Sequence, residues 1–97
     1  METIYKYALG MDRTRIQLHE GATVLTVLID TKTLLPSLWV RVNTKAPMEE
    51  RIFDIYGTGE TLPTPVGAYV GTFQVEDYGW HVFDRTDVFT QSNYVQT

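Results

Sequence analysis

The sequence predicts an all-β domain, a small antiparallel sandwich or barrel of six to seven strands with at most one short helical turn. Three observations lead there. Segments rich in β-branched and aromatic residues recur along almost the whole chain. Turn-forming residues separate them, among them Gly10, Gly21, Gly57, Gly59, Pro63, Pro65 and Gly67. The chain has 97 residues and is 43% hydrophobic, which suits one domain with one core. A chain this short buries about two-thirds of its unfolded surface, so a lone monomer is expected to have modest stability.

Each element follows from its local pattern. Thr3 to Ala8 reads as a first strand and is broken at Gly10-Met11-Asp12. Thr14 to Leu18 alternates weakly and reads as a second, ended by His19-Glu20-Gly21. Ala22 to Asp30 is the clearest buried strand. Strict alternation puts Leu25, Val27 and Ile29 on one face and Val24, Thr26 and Leu28 on the other, so both faces are expected to be covered, by this chain or by a second copy. Thr31-Lys32-Thr33 has the size of a hairpin turn. The chain then returns along Leu34 to Val42, with Leu38, Val40 and Val42 on one face and Trp39 and Arg41 on the other. Pro36 cannot donate a ladder hydrogen bond, which places the start of this strand at an edge or a bulge.

Asn43 to Glu50 reads as a loop or a single helical turn, with Pro47 suited to the first helical position and Glu49 and Glu50 to the positive end of the dipole. Arg51 to Tyr56 is the next strand, with Phe53 and Ile55 facing one way and Ile52, Asp54 and Tyr56 the other. Residues 57–67 form the longest irregular segment. Ala68 to Val75 follows, with Tyr69, Gly71, Phe73 and Val75 assigned to one side. Glu76 to Gly79 is a turn, and Trp80 to Arg85 closes a domain spanning residues 1–86. The tail, residues 87–97, is mostly polar but holds Val88, Phe89, Tyr94 and Val95, which leaves disorder and docking on a neighbouring subunit both open.

Composition removes several classes of function. With no cysteine there is no disulfide framework, thiolate metal site or cysteine nucleophile. The net charge of −4 makes nucleic acid a poor partner, because phosphate neutralisation needs clustered Lys and Arg. A small anion held by local arginines remains compatible with that charge. No apolar run is long enough to span a bilayer and the start carries no signal-peptide pattern, so no membrane partner and a cytoplasmic location are expected.

The candidate binding residues are Trp39, Arg41, Arg51, Tyr56, Gly57, Thr58 and Gly59. Ile55-Tyr56-Gly57-Thr58-Gly59-Glu60 is a glycine-rich loop after a strand, and its backbone N–H groups can cradle a phosphate. It lacks the lysine, extra glycines and following helix of the known phosphate loops, and it reads more simply as a strand-ending turn with both glycines at positive φ. Trp39 and Arg41 share a strand face, where an aromatic and a guanidinium can stack a base and grip a phosphate, anchor a protein partner, or pack and snorkel. Arg51 and Arg85 stand at strand ends, either as second phosphate contacts or as solvated surface residues. With only His19 and His81, a metal site would need carboxylates as well, and no metal or cofactor is expected. Asp54, Asp84 and Glu76 show no spacing that links an acid to a base. No catalytic residue is assigned, and Asp54 and Asp84 read as strand-surface charges. Six tyrosines suit interfaces, pockets and half-buried strands alike.

Three stretches together resemble a known group. They are Ile4-Tyr5-Lys6-Tyr7; then Leu38-Trp39-Val40 with Ala46-Pro47-Met48-Glu49-Glu50-Arg51 and Ile55-Tyr56-Gly57-Thr58-Gly59-Glu60; then Tyr69-Val70-Gly71-Thr72-Phe73-Gln74 with Trp80-His81-Val82-Phe83. This pattern resembles a family of small phage- and prophage-encoded proteins grouped as a domain of unknown function, over residues 3 to 85. The resemblance implies a phage origin and a small size and carries no catalytic residue, and many small phage proteins of this size work by binding. By analogy of genome context, the expected function is a homo-oligomeric protein that sequesters a small anionic nucleotide used as an immune signal, without cleaving it. The alternative is a module that binds a host protein.

Overall fold

The computed structural model describes residues 1–86, and the tail at 87–97, for which disorder and docking on a neighbouring subunit were both open, lies outside them. Seven strands run in chain order: β1 (Glu2–Ala8), β2 (Arg13–His19), β3 (Thr23–Ile29), β4 (Pro36–Asn43), β5 (Met48–Gly57), β6 (Ala68–Val75) and β7 (Tyr78–Asp84). They form two antiparallel sheets with strand orders β1-β4-β3 and β2-β5-β7-β6. The sheets lie face to face as a sandwich, with β3 against β6 and β4 against β2.

The core is the set of residues that alternation sends inward. β4 contributes Leu38, Val40 and Val42, β2 contributes Ile16 and Leu18, and Phe53, Ile55, Phe73 and Val82 come from β5, β6 and β7. Gly71 on β6 leaves room for Val27 of the opposite sheet, whose Cγ1 would lie 2.6 Å from a Cβ at that position. Residues of one sheet thus fill gaps in the other.

Four expectations need correction. The register of β3 shifts between Val24 and Thr26, where a bulge interrupts the alternation. Val24, Val27 and Ile29 therefore turn inward. Leu25 and Leu28 are 50% and 54% exposed, so the outer face of this strand is uncovered in the single chain. A second bulge between Tyr69 and Gly71 puts Tyr69 on the opposite side from Gly71 and Phe73. Pro36 opens a central strand rather than an edge, and it sits at the first position, where a missing N–H is tolerated. No helical turn forms at 43–50. The chain turns at Thr44–Ala46 and is extended from Met48, because Met48, Glu49 and Glu50 pair with His19, Leu18 and Gln17.

Candidate functional site

The outer face of the four-stranded sheet carries an aromatic row across three strands. Tyr56 on β5 stands opposite His81 on β7, and Phe83 on β7 stands opposite Tyr69 on β6. Phe83 meets both tyrosines edge-to-face, with ring centroids 5.9 Å from Tyr56 and 5.7 Å from Tyr69. The loop after β5 closes one end. Together these parts line a groove of about 220 Å³ formed by Tyr56, Gly57, Thr58, Gly59, Glu60, Leu62, Tyr69, His81 and Phe83.

Polar groups in this groove are tied to one another. His81 Nδ1 lies 3.0 Å from Thr72 Oγ1 and Nε2 lies 2.8 Å from Thr58 Oγ1. Thr58 Oγ1 donates to the Gly79 carbonyl at 3.1 Å, so its oxygen is left to accept from His81 Nε2–H. Both ring nitrogens are thereby engaged by threonine hydroxyls, Nε2 by Thr58 and Nδ1 by Thr72. Thr72 Oγ1 also shares a hydrogen bond with the Tyr69 hydroxyl at 2.6 Å. The four side chains form one hydrogen-bonded series, and contacts at both nitrogens hold the imidazole in one orientation.

The glycine-rich loop is closed on itself. Gly57 N–H donates to the Glu60 carboxylate, Thr58 N–H to the Gly79 carbonyl at 3.0 Å, and Glu60 N–H to the Gly57 carbonyl at 3.1 Å. A phosphate at Gly57 would have to displace Glu60. The two glycines serve different ends. Gly59 takes φ 94°, which needs glycine. Gly57 ends β5 and is small for reasons of space, since a Cβ would sit 2.7 Å from Cε2 and Oη of Tyr78. Only Gly59 has the positive φ expected of both.

Beside the groove, Tyr56 reaches an ionic cluster. Its hydroxyl donates to Asp54 Oδ2 at 3.1 Å. Arg13 grips Asp54 with two bonds, Nε to Oδ1 at 2.7 Å and Nη2 to Oδ2 at 3.0 Å, and Arg85 Nη1 lies 3.2 Å from Oδ2. Asp54 is 4% exposed, so it is not the strand-surface charge expected from its position. Burial pushes its carboxyl up, but the Arg13 fork and the bonds from Tyr56 and Arg85 outweigh this and hold it below the usual carboxylate range. Burial, then the Asp54 charge, pushes the Tyr56 phenol above its ordinary value, so it stays a donor at neutral pH.

The seven sequence candidates fall in three places. Tyr56, Gly57, Thr58 and Gly59 line the groove. Trp39 and Arg41 lie on the outer face of the other sheet, where Arg41 makes a bidentate pair with Glu2 at 2.7 and 3.0 Å. Arg51 points into the sandwich. It binds Asp84 Oδ2 through Nε at 3.1 Å and Nη2 at 2.8 Å, and donates from Nη1 to the Ala22 carbonyl at 2.8 Å. Arg51 and Asp84 are therefore both more enclosed than solvated strand-end residues, with side chains 16% exposed. The groove residues Glu60, Leu62, Tyr69, His81 and Phe83 were not selected from sequence as binding residues. Their signal was in the Tyr69–Gln74 and Trp80–Phe83 stretches, but only the β5-β7-β6 register shows that they meet.

Among the described residues, no helix is long and apolar enough to cross a membrane. No curated protein and no solved structure matches the chain. One family does, over residues 1–92 of the 97, and the chain belongs to it: the family described as Domain of unknown function (DUF7352).

Proposed function

We propose that this protein binds a small ligand with a planar ring in the groove of the four-stranded sheet and holds it without cleaving it. The observation that carries this reading is the row Tyr56, Phe83 and Tyr69 beside an imidazole whose orientation is already set. Aromatic faces stack rings of many kinds, and a fixed polar edge adds selectivity without an ordering cost on binding. The groove, about 220 Å³, takes one ring and its nearest substituents, below the range of about 300–1,000 Å³ typical of enclosing pockets. His81 is engaged by hydroxyls at both nitrogens, an arrangement that suits presentation of the ring more than proton transfer.

The ligand class we infer is a nucleotide of the kind used as an immune signal, and the origin a phage or prophage. Both rest on the family resemblance set out above. Calorimetry with a panel of cyclic nucleotides and cyclic ADP-ribose isomers tests this. One panel member should bind, Phe83→Ala should abolish binding, and Glu60→Ala should strengthen it by removing the carboxylate an anion must displace. Ligand recovered intact after denaturation fits sequestration, whereas recovery of a product would overturn it. Well-folded protein that binds no panel member would sink the nucleotide reading.

A second reading has its own observation. Ile4, Leu25 and Leu28 are 56%, 50% and 54% exposed on the outer face of the three-stranded sheet, beside a half-buried Trp39. A host protein docked there would make the chain an interaction module. A pull-down from host lysate that is lost with Leu28→Ser, together with an empty nucleotide panel, would select this reading.

A further inference from the structure

The free edge of β1 is a self-complementary strand, and we infer that it pairs antiparallel with β1 of a second copy, centred on Ile4. The direction of its backbone groups can be read from two hydrogen bonds. Leu9 N–H donates to the Pro36 carbonyl at 2.8 Å, and Thr44 N–H donates to the Met1 carbonyl at 2.9 Å. Residues 1 and 9 thus turn their backbone groups toward β4, and with them the odd positions between. The even positions, Glu2, Ile4, Lys6 and Ala8, turn their N–H and C=O groups outward, and among the described residues no strand lies on that side.

A second strand must bond to these even positions, so even pairs with even. Centring on Ile4 sets Ile4 against Ile4 and Glu2 against Lys6 twice. One register further along, centred on Tyr5, sets Glu2 against Ala8 and Lys6 against Ile4 and wastes both charges. Charge complementarity therefore selects the first. All these side chains lie on the outer face, because they stand opposite Asn43, Arg41 and Trp39 of β4. Within one copy Glu2 already pairs with Arg41, and Lys6 with Asp30 at 2.6 Å. The contact joins these pairs into a row of alternating charge, Arg41–Glu2–Lys6–Asp30, across the two copies. Ile4, exposed in the single chain, becomes the apolar centre.

The other edges are less fit. β3 and β6 each carry a bulge, and β2 carries Arg13 and Arg15, whereas β1 pairs with β4 through seven residues without a register shift. Lys6 near the middle of the edge rejects unmatched strands, and only a partner that brings a carboxylate opposite it is admitted. The joined sheet has six strands, and the groove of each copy still faces outward on the other sheet.

Single cysteines test this, since the chain has none of its own. Under mild oxidation, Ile4→Cys should cross-link to itself. Glu2→Cys alone and Lys6→Cys alone should stay uncross-linked, and a mixture of the two should join. Sedimentation of the unmodified protein should give twice the 11.1 kDa chain mass. Ile4 is more than half exposed, so its replacement leaves the fold intact, which a thermal melt checks. A monomer mass across a concentration series would overturn the inference. A dimer that cross-links through Tyr5→Cys but not Ile4→Cys would also overturn it. The cross-links do not depend on any ligand, so their failure is separate from failure of the proposed function.

Discussion

The outer faces of the two sheets are built from the same alternation and finished differently. On the four-stranded sheet, Tyr69, Thr72, His81 and Thr58 form one hydrogen-bonded series, and Tyr56, Asp54, Arg13 and Arg85 form a second beside it. Most of the side chains there have a partner before any ligand arrives. On the three-stranded sheet, the ion pairs Glu2–Arg41 and Lys6–Asp30 stand beside an apolar surface of Ile4, Leu25 and Leu28. The first face is pre-organised and concave, which suits a small ligand. The second is apolar and ends in an open strand edge, which suits another chain. The contrast teaches that exposure alone does not mark a small-molecule site. What distinguishes the site proposed here is aromatic surface whose polar neighbours are already oriented.

The strongest way to break this contrast is to cut one partner from each face. Asp54→Ala removes a buried carboxylate that accepts from Arg13, Tyr56 and Arg85, and should cost about 3 kcal/mol in urea unfolding. Arg41→Ala, on the exposed pair of the other face, should leave the urea midpoint unmoved. Acid should reveal the same asymmetry. The Asp54 carboxyl lies below its unfolded value of about 3.9, so its contribution is complete above that pH and is lost as pH falls through the folded value. Stability should therefore hold between about pH 5 and 7 and decline below about pH 4, and Asp54→Asn should reduce the decline. Glu2 and Asp30 are also held low by Arg41 and Lys6, so some decline should remain.

A smaller effect is expected from Gly57→Ala. The added methyl would press on Tyr78 and on Trp80, whose Cζ3 would lie 3.1 Å away, at a cost of about 1–3 kcal/mol. Near-ultraviolet circular dichroism should change with it, because Tyr78 and Trp80 pack edge-to-face at 4.9 Å. The smallest effect belongs to Leu28→Ser, which should shift chemical stability by less than about 0.5 kcal/mol because the side chain is already more than half exposed. A large loss there would mean that the apolar face is covered within the native protein.

Much of the fold was legible because alternation is a local signal. The inward set Leu38, Val40, Val42, Phe53 and Ile55 follows from period two alone. The bulges at Val24/Thr26 and Tyr69/Gly71 were not legible, because an extra residue in a strand leaves composition unchanged while reversing the faces. The start of β5 was missed because Pro47 with Glu49 and Glu50 mimics a helix opening, and only pairing with β2 decides the matter. At the site, the Tyr56–Gly59 loop was visible as a glycine-rich strand end. Tyr69, His81 and Phe83 were not, because they become neighbours only through strand order. Asp54 looked like a surface charge because its two arginines lie 41 and 31 residues away in sequence.

Amide chemical-shift mapping with a nucleotide that binds from the panel locates the ligand on one sheet face or the other. Perturbations are expected at Thr58, Tyr69, His81 and Phe83, with Thr23, Leu28, Trp39 and Arg41 unmoved. Perturbations centred on Trp39 and Arg41, with the Tyr56–Phe83–Tyr69 row silent, would contradict that placement.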